Sequence, residues 1–327
     1  MLKPVFHVCA AVVALSLIAA SAAAQSDYPQ HPITLIVPFA AGGPTDTISR
    51  IVGDRMSRTL GQPIVYRNTV GAPGLTASTS AMRANPDGYT IVMGHMGTHA
   101  TAVALVPNLA YDPVHDFSPI GLATGTPVLI VARKDFPPKD LAEFLRYVKT
   151  HVSSLTTAHA GVGSVSFTSG LLLGHLMQVR PSAVPYAGTG PAMAALARGQ
   201  VDFMCDQIVN VVPRLETGAI KAYAVGTPER NPVLPNVPTA GEAGLSEFEV
   251  SAWNAFFAPK GTPQPVLDRL TDAVDRALDD EAVRARLLAL GADIPAKERR
   301  GQQALAQLVK AEIARWSQII RAAGPSN

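Results

Sequence analysis

Three glycine-rich segments have the residue types that could bind a small anion. They cover residues 41–45, 71–74 and 161–164, and each follows a short β-branched run and precedes a helical pattern. The first N–H groups of a helix lack intrahelical partners, and the helix dipole adds positive potential there. Glycine also lets a ligand approach the backbone without a Cβ in the way. A tight turn would explain one such loop, but three loops favour a shared anion site.

The sequence around these loops favours a carboxylate over a phosphate. No P-loop lysine and no acidic Mg²⁺ cluster accompanies any of them. Residues 161–166 resemble a dinucleotide fingerprint only weakly, and Arg180 and Pro181 occupy the region where an acidic ribose partner is expected. Backbone N–H groups bind a carboxylate equally well, so no cofactor is predicted.

Two acidic residues stand beside these segments. Asp46 falls in the first turn of a predicted helix, where an acid offsets the macrodipole, and we expect it to act as a cap. Asp206 follows a predicted strand. It could accept hydrogen bonds from a ligand or its waters, and a structural role in capping a turn is an equal alternative.

His95 is the histidine that we expect in the binding cleft, as a hydrogen-bonding group or as a loop-packing residue. His99 stands four residues later, a spacing that suits a metal on a helix. Gly94 and Gly97 argue against a helix there, and no third ligand is apparent, so no metal site is predicted.

The sequence offers no convincing nucleophile. It has no G-x-S-x-G motif, and Ser164 has the wrong spacing for a nucleophile elbow. Cys205 is the only cysteine after residue 24 and is expected to be a small buried side chain. We therefore predict a binding protein and not an enzyme.

Two series of β-α units must position these loops. Residues 33–93 follow a β-α-β-α-β pattern, and a second series runs from residue 127 to residue 225, with an Asp- and Pro-rich loop at 108–119 before it. An aromatic strand at 248–257 returns the chain to the first series, and three amphipathic helices follow. This pattern predicts two α/β lobes, 25–126 with 248–327 and 127–247. Ligand loops of such sheets lie at the carboxyl ends of the strands.

The first 24 residues are predicted to be a cleavable signal peptide. Lys3 precedes an apolar run at 8–20 that is shorter than the roughly 20 residues of a membrane span, and Ala22, Ala23 and Ala24 fit a cleavage site after Ala24. The formal net charge of +2, without a basic patch, excludes a typical nucleic-acid-binding surface.

Nine short motifs together resemble one family. They are PFAAGGPTD at 38–46, GAPG at 71–74, PDGYT at 86–90, YDPVHDFSP at 111–119, GVGS at 161–164, VPYAG at 184–188, GQVD at 199–202, LPNVPT at 234–239 and EAGL at 242–245. Their order resembles that of the periplasmic solute-binding receptors of tripartite tricarboxylate transporters, the Bug family. The resemblance covers nearly all of the chain after residue 24.

This resemblance implies a two-lobed periplasmic binding protein of type II-like fold, with parallel-rich sheets, flanking helices and a hinge. The lobes would close on a di- or tricarboxylate, an amino acid or an aromatic acid, and the receptor, a monomer, would deliver it to a membrane permease. Phe167 departs from the family pattern beside the second-lobe loop and is compatible with an aromatic acid. The expected ligand-binding residues are Phe39, Gly42, Gly43, Thr45, Asp46, Ala72, Gly74, His95, Gly161, Gly163, Ser164 and Asp206.

Two other functions stay open at this stage. The same receptor could present its ligand to a membrane sensor kinase. A periplasmic hydrolase on the same scaffold could use His95 or Ser164.

Overall fold

A computed structural model describes residues 28–71 and 74–324 of the chain. The predicted signal peptide at 1–24 lies outside these residues. No helix in the described ranges is both long enough and apolar enough to cross a bilayer.

The first lobe is built on a parallel sheet whose middle strand is β1. The elements are β1 (Ile33–Pro38), α1 (Pro44–Leu60), β2 (Ile64–Thr69), α2 (Leu75–Met82), β3 (Thr90–His95) and the short α3 (Ala102–Leu105). β1 pairs in parallel with β2 on one side and with β3 on the other. The predicted β-α-β-α-β order is confirmed. Gly61, with φ of 73°, ends α1 as expected for a helix C-terminus.

Strand β4 (Phe117–Arg133) is longer than the sequence indicates. The apolar pattern predicts a strand at 127–132 and a loop that ends at Pro119. The loop prediction is wrong at its end, because residues 117–119 belong to β4. Residues from Phe117 onward pair antiparallel with a strand near the C-terminus, with register shifts at Pro119/Gly121 and Leu122/Thr124. Proline is tolerated at such irregular positions, and the partner strand is too distant in sequence for local patterns to reveal.

The second lobe continues from β4. Its elements are α4 (Leu141–His151), β5 (Thr156–His159), α5 (Val165–Met177), β6 (Ser182–Pro185), α6 (Thr189–Ala197), β7 (Phe203–Gln207), α7 (Ile208–Glu216) and β8 (Ile220–Val225). The second half of β4 pairs with β7 on one side and β8 on the other, and β5 and β6 extend the sheet beyond β7. This second β-α series was predicted, with small errors at the element ends.

The chain returns to the first sheet through β9 (Ser251–Pro259), which is antiparallel to both β3 and β4. Three helices then complete the fold, as predicted: α8 (Gln264–Asp279), α9 (Glu281–Ala289) and α10 (Gln302–Ala323). α8 packs against α1, whereas α10 packs against β4 and also reaches α5 of the second lobe. Trp316, fully buried, anchors α10 to the core.

The two lobes are joined where β4 changes partners. Up to Pro127 it pairs with β9, and from Val128 it pairs with β7 and β8. The returning chain crosses at the same level, because Val128 N–H donates to Val250 O at 3.0 Å and Val250 N–H donates to Gly226 O at 2.8 Å. A division after residues 126 and 247 is compatible with this pairing and stays our proposal for the lobe boundaries.

Candidate functional site

A narrow cleft separates the two lobes at the carboxyl ends of β1 and β5. Its free volume is about 20 Å³, enough for about one or two water molecules. The lining residues are Pro38, Phe39, Ala40, Gly43, Pro44, Thr45, Asp46 and His95 from the first lobe, with Ala160, Ser164, Val165, Thr189 and Gln207 from the second.

The N-termini of four helices meet at this cleft. The residues that precede α1, α5, α6 and α7 are Gly43, Ser164, Gly188 and Gln207. Only Ser164 caps its own helix, where its Oγ accepts from Phe167 N–H at 3.1 Å. The other three helices have no side-chain cap in the described structure. Their first N–H groups therefore remain available to an anion.

Phe39 has an unusual backbone at the start of the first-lobe loop. Its φ of 70° lies in the left-handed region, which is unfavourable for a bulky residue. Its ring stacks on His95 with centroids 5.2 Å apart. Gly74, at φ 80°, lies behind that ring, and a Cβ there would come within 3.0 Å of Phe39 Cζ. Gly74 thus supports the cleft wall without lining it. Ala72 falls outside the described residues.

Asp46 organises the first-lobe loop by accepting hydrogen bonds from three donor groups. Its Oδ2 accepts from Gly42 N–H at 3.0 Å, Asn68 Nδ2 donates to Oδ1 at 3.1 Å, and Arg50 Nε lies within 3.1 Å of both oxygens. Burial alone would raise its pKa, but the hydrogen bonds from Arg50, Gly42 and Asn68 outweigh burial and lower it. The carboxylate closes the turn before α1 and does not cap the first N–H groups of the helix.

His95 lines the cleft and has one unpaired ring nitrogen. Its Nδ1 accepts from Gly97 N–H at 2.8 Å, so the neutral ring carries its proton on Nε2. This Nε2 is buried and has no hydrogen-bond partner in the described structure. Burial lowers the pKa of His95 to about 3, so the ring is neutral near pH 7. His95 is therefore a neutral donor.

His99 does not share the cleft with His95. A π-helical turn, Gly97–Thr101, does form, contrary to the expectation drawn from Gly94 and Gly97. Gly97, the first residue of this turn, lets the turn lie close to the second-lobe loop, because a Cβ on Gly97 would lie 2.2 Å from Gly163 O. His99 instead stacks on Phe257, with centroids 4.2 Å apart. Within residues 28–71 and 74–324, no group of three His, Cys, Asp or Glu could hold a metal ion.

The second-lobe loop is held from behind by two side chains. His159 Nδ1 accepts from Gly161 N–H at 2.8 Å, and Ser166 Oγ accepts from Ala160 N–H at 3.0 Å. Gly161 and Gly163 both have φ near 90°, a conformation that favours glycine. They shape the loop, while their neighbours Ala160 and Ser164 line the cleft. Phe167 points away from the cleft, into a separate cavity.

Asp206 is fully buried and lies beneath the cleft wall. Its oxygens accept from Gln207 N–H at 2.8 Å and from Asn210 Nδ2, and Asn210 also donates to Thr189 O at 3.3 Å. Burial raises the pKa of Asp206 to about 7, against the lowering effect of these hydrogen bonds. Asp206 thus positions two cleft residues, Thr189 and Gln207, that the sequence prediction missed. The Gly188-Thr189 junction was the available signal for the first of them.

The cleft contains no cationic side chain among its described lining residues. Asp46 is the one formally charged residue of that lining, and Arg50, 3.0 Å away, balances it. Positive potential must therefore come from the helix N-termini.

The lobes are in contact across the cleft. Ala40 N–H donates to Ala187 O at 3.4 Å, and Thr168 Oγ1 donates to Thr101 Oγ1 at 3.2 Å. This is a closed arrangement, and the lobes must separate to admit an organic molecule.

Comparison with known proteins gives the same fold and one family. The sequence profile described as "Tripartite tricarboxylate transporter family receptor" matches residues 48–324. A UPF0065 protein of Agrobacterium vitis, from the TAR-I ttuE-ttuC' intergenic region, is 44% identical over 93% of this chain and 87% of its own length.

Two solved structures superpose on nearly the whole fold. MatC of Rhodopseudomonas palustris with bound malate is 55% identical, with a TM-score of 0.88 over 89% of this chain and 99% of MatC. The periplasmic binding protein BugD is 41% identical, with a TM-score of 0.88 over 91% of this chain and 99% of BugD. The two-lobed binding-protein fold that the sequence predicted is confirmed. The chain belongs to the receptor family of tripartite tricarboxylate transporters, which includes the Bug proteins.

Proposed function

We propose that this protein binds a small dicarboxylate of the size of malate in the periplasm and delivers it to the permease of a tripartite transporter. The observation that carries this proposal is the meeting of four helix N-termini at an interlobe cleft that no Lys or Arg lines in the described structure. Such a site binds an anion through N–H groups and leaves it able to dissociate.

The strength of this site comes from several modest contributions. Each helix N-terminus carries the equivalent of about half a positive charge. A hydrogen bond to a charged group contributes about 1.5–3 kcal/mol. His95 Nε2–H adds a neutral donor from the first lobe, and Thr189 and Ser164 lie on the opposite wall. A ligand with a carboxylate at each end can contact both walls and thereby hold the lobes together around itself.

The choice of a dicarboxylate is supported by the relative with bound malate, which is 55% identical to this chain. An aromatic acid is less well supported, because Phe167 lines another cavity and not the cleft.

Delivery to a permease is supported by membership of the family and by the relative described as a periplasmic binding protein. Residues 1–24, with cleavage after Ala24, would provide the export signal, and the receptor would act as a monomer. Presentation of the ligand to a sensor kinase would use the same binding step.

A hydrolase has less support in the cleft geometry. Ser164 Oγ donates to Gly161 O at 2.7 Å, accepts from Phe167 N–H, and lies 3.1 Å from Ser166 Oγ. Within the described residues, no histidine is hydrogen-bonded to Ser164 Oγ. Ser164 is thus engaged in forming the loop and is not arranged as a nucleophile with a base.

A thermal-shift screen tests this function. The protein without residues 1–24 is heated with malate, succinate, citrate, aspartate, benzoate and malamide, the uncharged diamide of malic acid. We expect malate or succinate to raise Tm most, because ligands that bind only the folded state stabilise it. Malamide should have little effect, and NMR of the recovered malate should show it unchanged. A rise with malamide equal to that with malate, or conversion of malate, would contradict the proposal.

A further inference from the structure

A cavity of about 740 Å³, separate from the interlobe cleft, is lined by second-lobe residues and by Ala323 at the end of α10. It lies between α5 and the strands β5 and β6, and its volume is typical of small-molecule sites, which measure about 300–1,000 Å³. β6 is the edge strand of the sheet, and α5 packs mainly on β7 and β5. The sheet therefore extends beyond the helix that covers it, and this mismatch creates the cavity.

One wall of the cavity is a stripe along α5 formed by Phe167, Gly170, Leu171 and Gly174. Glycine inside a helix is destabilising relative to alanine, so each glycine needs a reason. Gly174 has one, because a Cβ there would lie 2.9 Å from Val179 O. Gly170 has no such neighbour: a Cβ there would meet nothing within 4 Å. Its missing side chain keeps the cavity open.

The floor of the cavity has two polar groups on one face of β5. Thr157 and His159 are two residues apart and so point the same way. Because His159 Nδ1 accepts from Gly161 N–H, its Nε2 carries the proton. His159 is only 8% exposed, and within the described chain neither Nε2 nor the Thr157 hydroxyl makes a hydrogen bond to another residue. The floor thus has two donors beside an apolar wall.

We propose that this cavity is a second binding site, for a small molecule with an aromatic or branched apolar body and one carbonyl or carboxylate acceptor. Phe167 and Leu171 would contact the apolar body, and the donors of His159 and Thr157 would hold the acceptor. The rim carries both Arg180 and Glu247, so its formal charges cancel and the floor donors decide which group is recognised.

Variants of Gly170 test the site with little risk to folding. Gly170→Leu fills the cavity from its wall, and Gly170→Ala is the matched control that adds one methyl group where there is space. We expect both variants to fold, with Tm at or above that of the wild type, because each replaces a helical glycine. The probes are phenylacetate and phenylacetamide, which share an apolar body and differ in charge, and binding is followed by ligand-observed NMR.

Wild type and Gly170→Ala should bind at least one of the two probes, and Gly170→Leu should bind it about tenfold more weakly or not at all. Preference for phenylacetate would assign a carboxylate ligand, and equal binding would assign a carbonyl. Gly43→Val, which changes the interlobe cleft and the approach of the lobes, should leave probe binding intact, because every lining residue of the cavity except Ala323 belongs to the second lobe. Absence of binding to the wild type, undiminished binding to Gly170→Leu, or loss of binding in Gly43→Val would overturn the proposal. This test is independent of the proposed transport function.

Discussion

At the scale of single residues, the cleft is built by side chains that hold the backbone in place. Asp46, Ser164 and Asp206 each bond to a loop or to the neighbours of a loop. The backbone N–H groups, and not these side chains, are left to meet an anion. This arrangement separates the residues that shape the site from the groups that bind.

Asp46→Ala should lower the free energy of unfolding by about 1–3 kcal/mol, because it leaves Gly42 N–H without its acceptor and removes one of the two acceptors of Asn68 Nδ2. Urea denaturation at neutral pH measures the change. Arg58→Ala, an exposed position on the same helix, is the control and should change little. An Asp46→Ala protein as stable as the wild type would contradict the structural role.

Asp206 should make stability depend on pH. Its pKa is raised to about 7 by burial, so between about pH 4 and 7 the folded state holds a proton that the unfolded state has lost. The free energy of unfolding of the wild type, minus that of Asp206→Asn, should therefore fall as pH rises through this window. His95 and His99, with pKa values near 3, make the free energy of unfolding rise with pH in both proteins. Taking the difference between the two proteins removes this opposite effect. A flat difference would refute the raised pKa.

At the scale of elements, the important feature is the strand-to-helix junction. Four such junctions reach the cleft. Glycine predicted two of them, before α1 and α5, and Gly188 marks a third, before α6, that the prediction missed. The junction before α7 was not, because Gln207 has no local preference that marks a helix start. The first half of β4 was missed for a related reason, since its pairing with β9 is set by a distant segment.

Gly43 gives a direct test of the junction before α1. A Cβ at this position would lie 3.6 Å from Thr189 Oγ1 and 3.9 Å from Gly190 N across the cleft. Gly43→Ala should therefore still allow closure, whereas the branched side chain of Gly43→Val should keep the lobes apart. Small-angle scattering should show compaction on addition of malate for wild type and Gly43→Ala only. Equal compaction of Gly43→Val would show that this junction does not control closure.

At the scale of the whole molecule, two α/β lobes share one long strand and one return crossing. The alternating elements of the sequence were sufficient to predict this architecture. They were not sufficient to predict how far the lobes approach. That distance depends on contacts between residues far apart in sequence, such as Ala40 with Ala187 and Thr101 with Thr168.

The central claim is that uncharged donors hold a dicarboxylate between the lobes, and calorimetric titration with malate and with dimethyl malate tests it most directly. The ester keeps the carbon skeleton and removes both charges. We predict saturable binding of one malate per protein and binding of the ester weaker by about a hundredfold, a loss of about 2.7 kcal/mol. Equal affinity for the two compounds, or no heat with malate, would contradict the account.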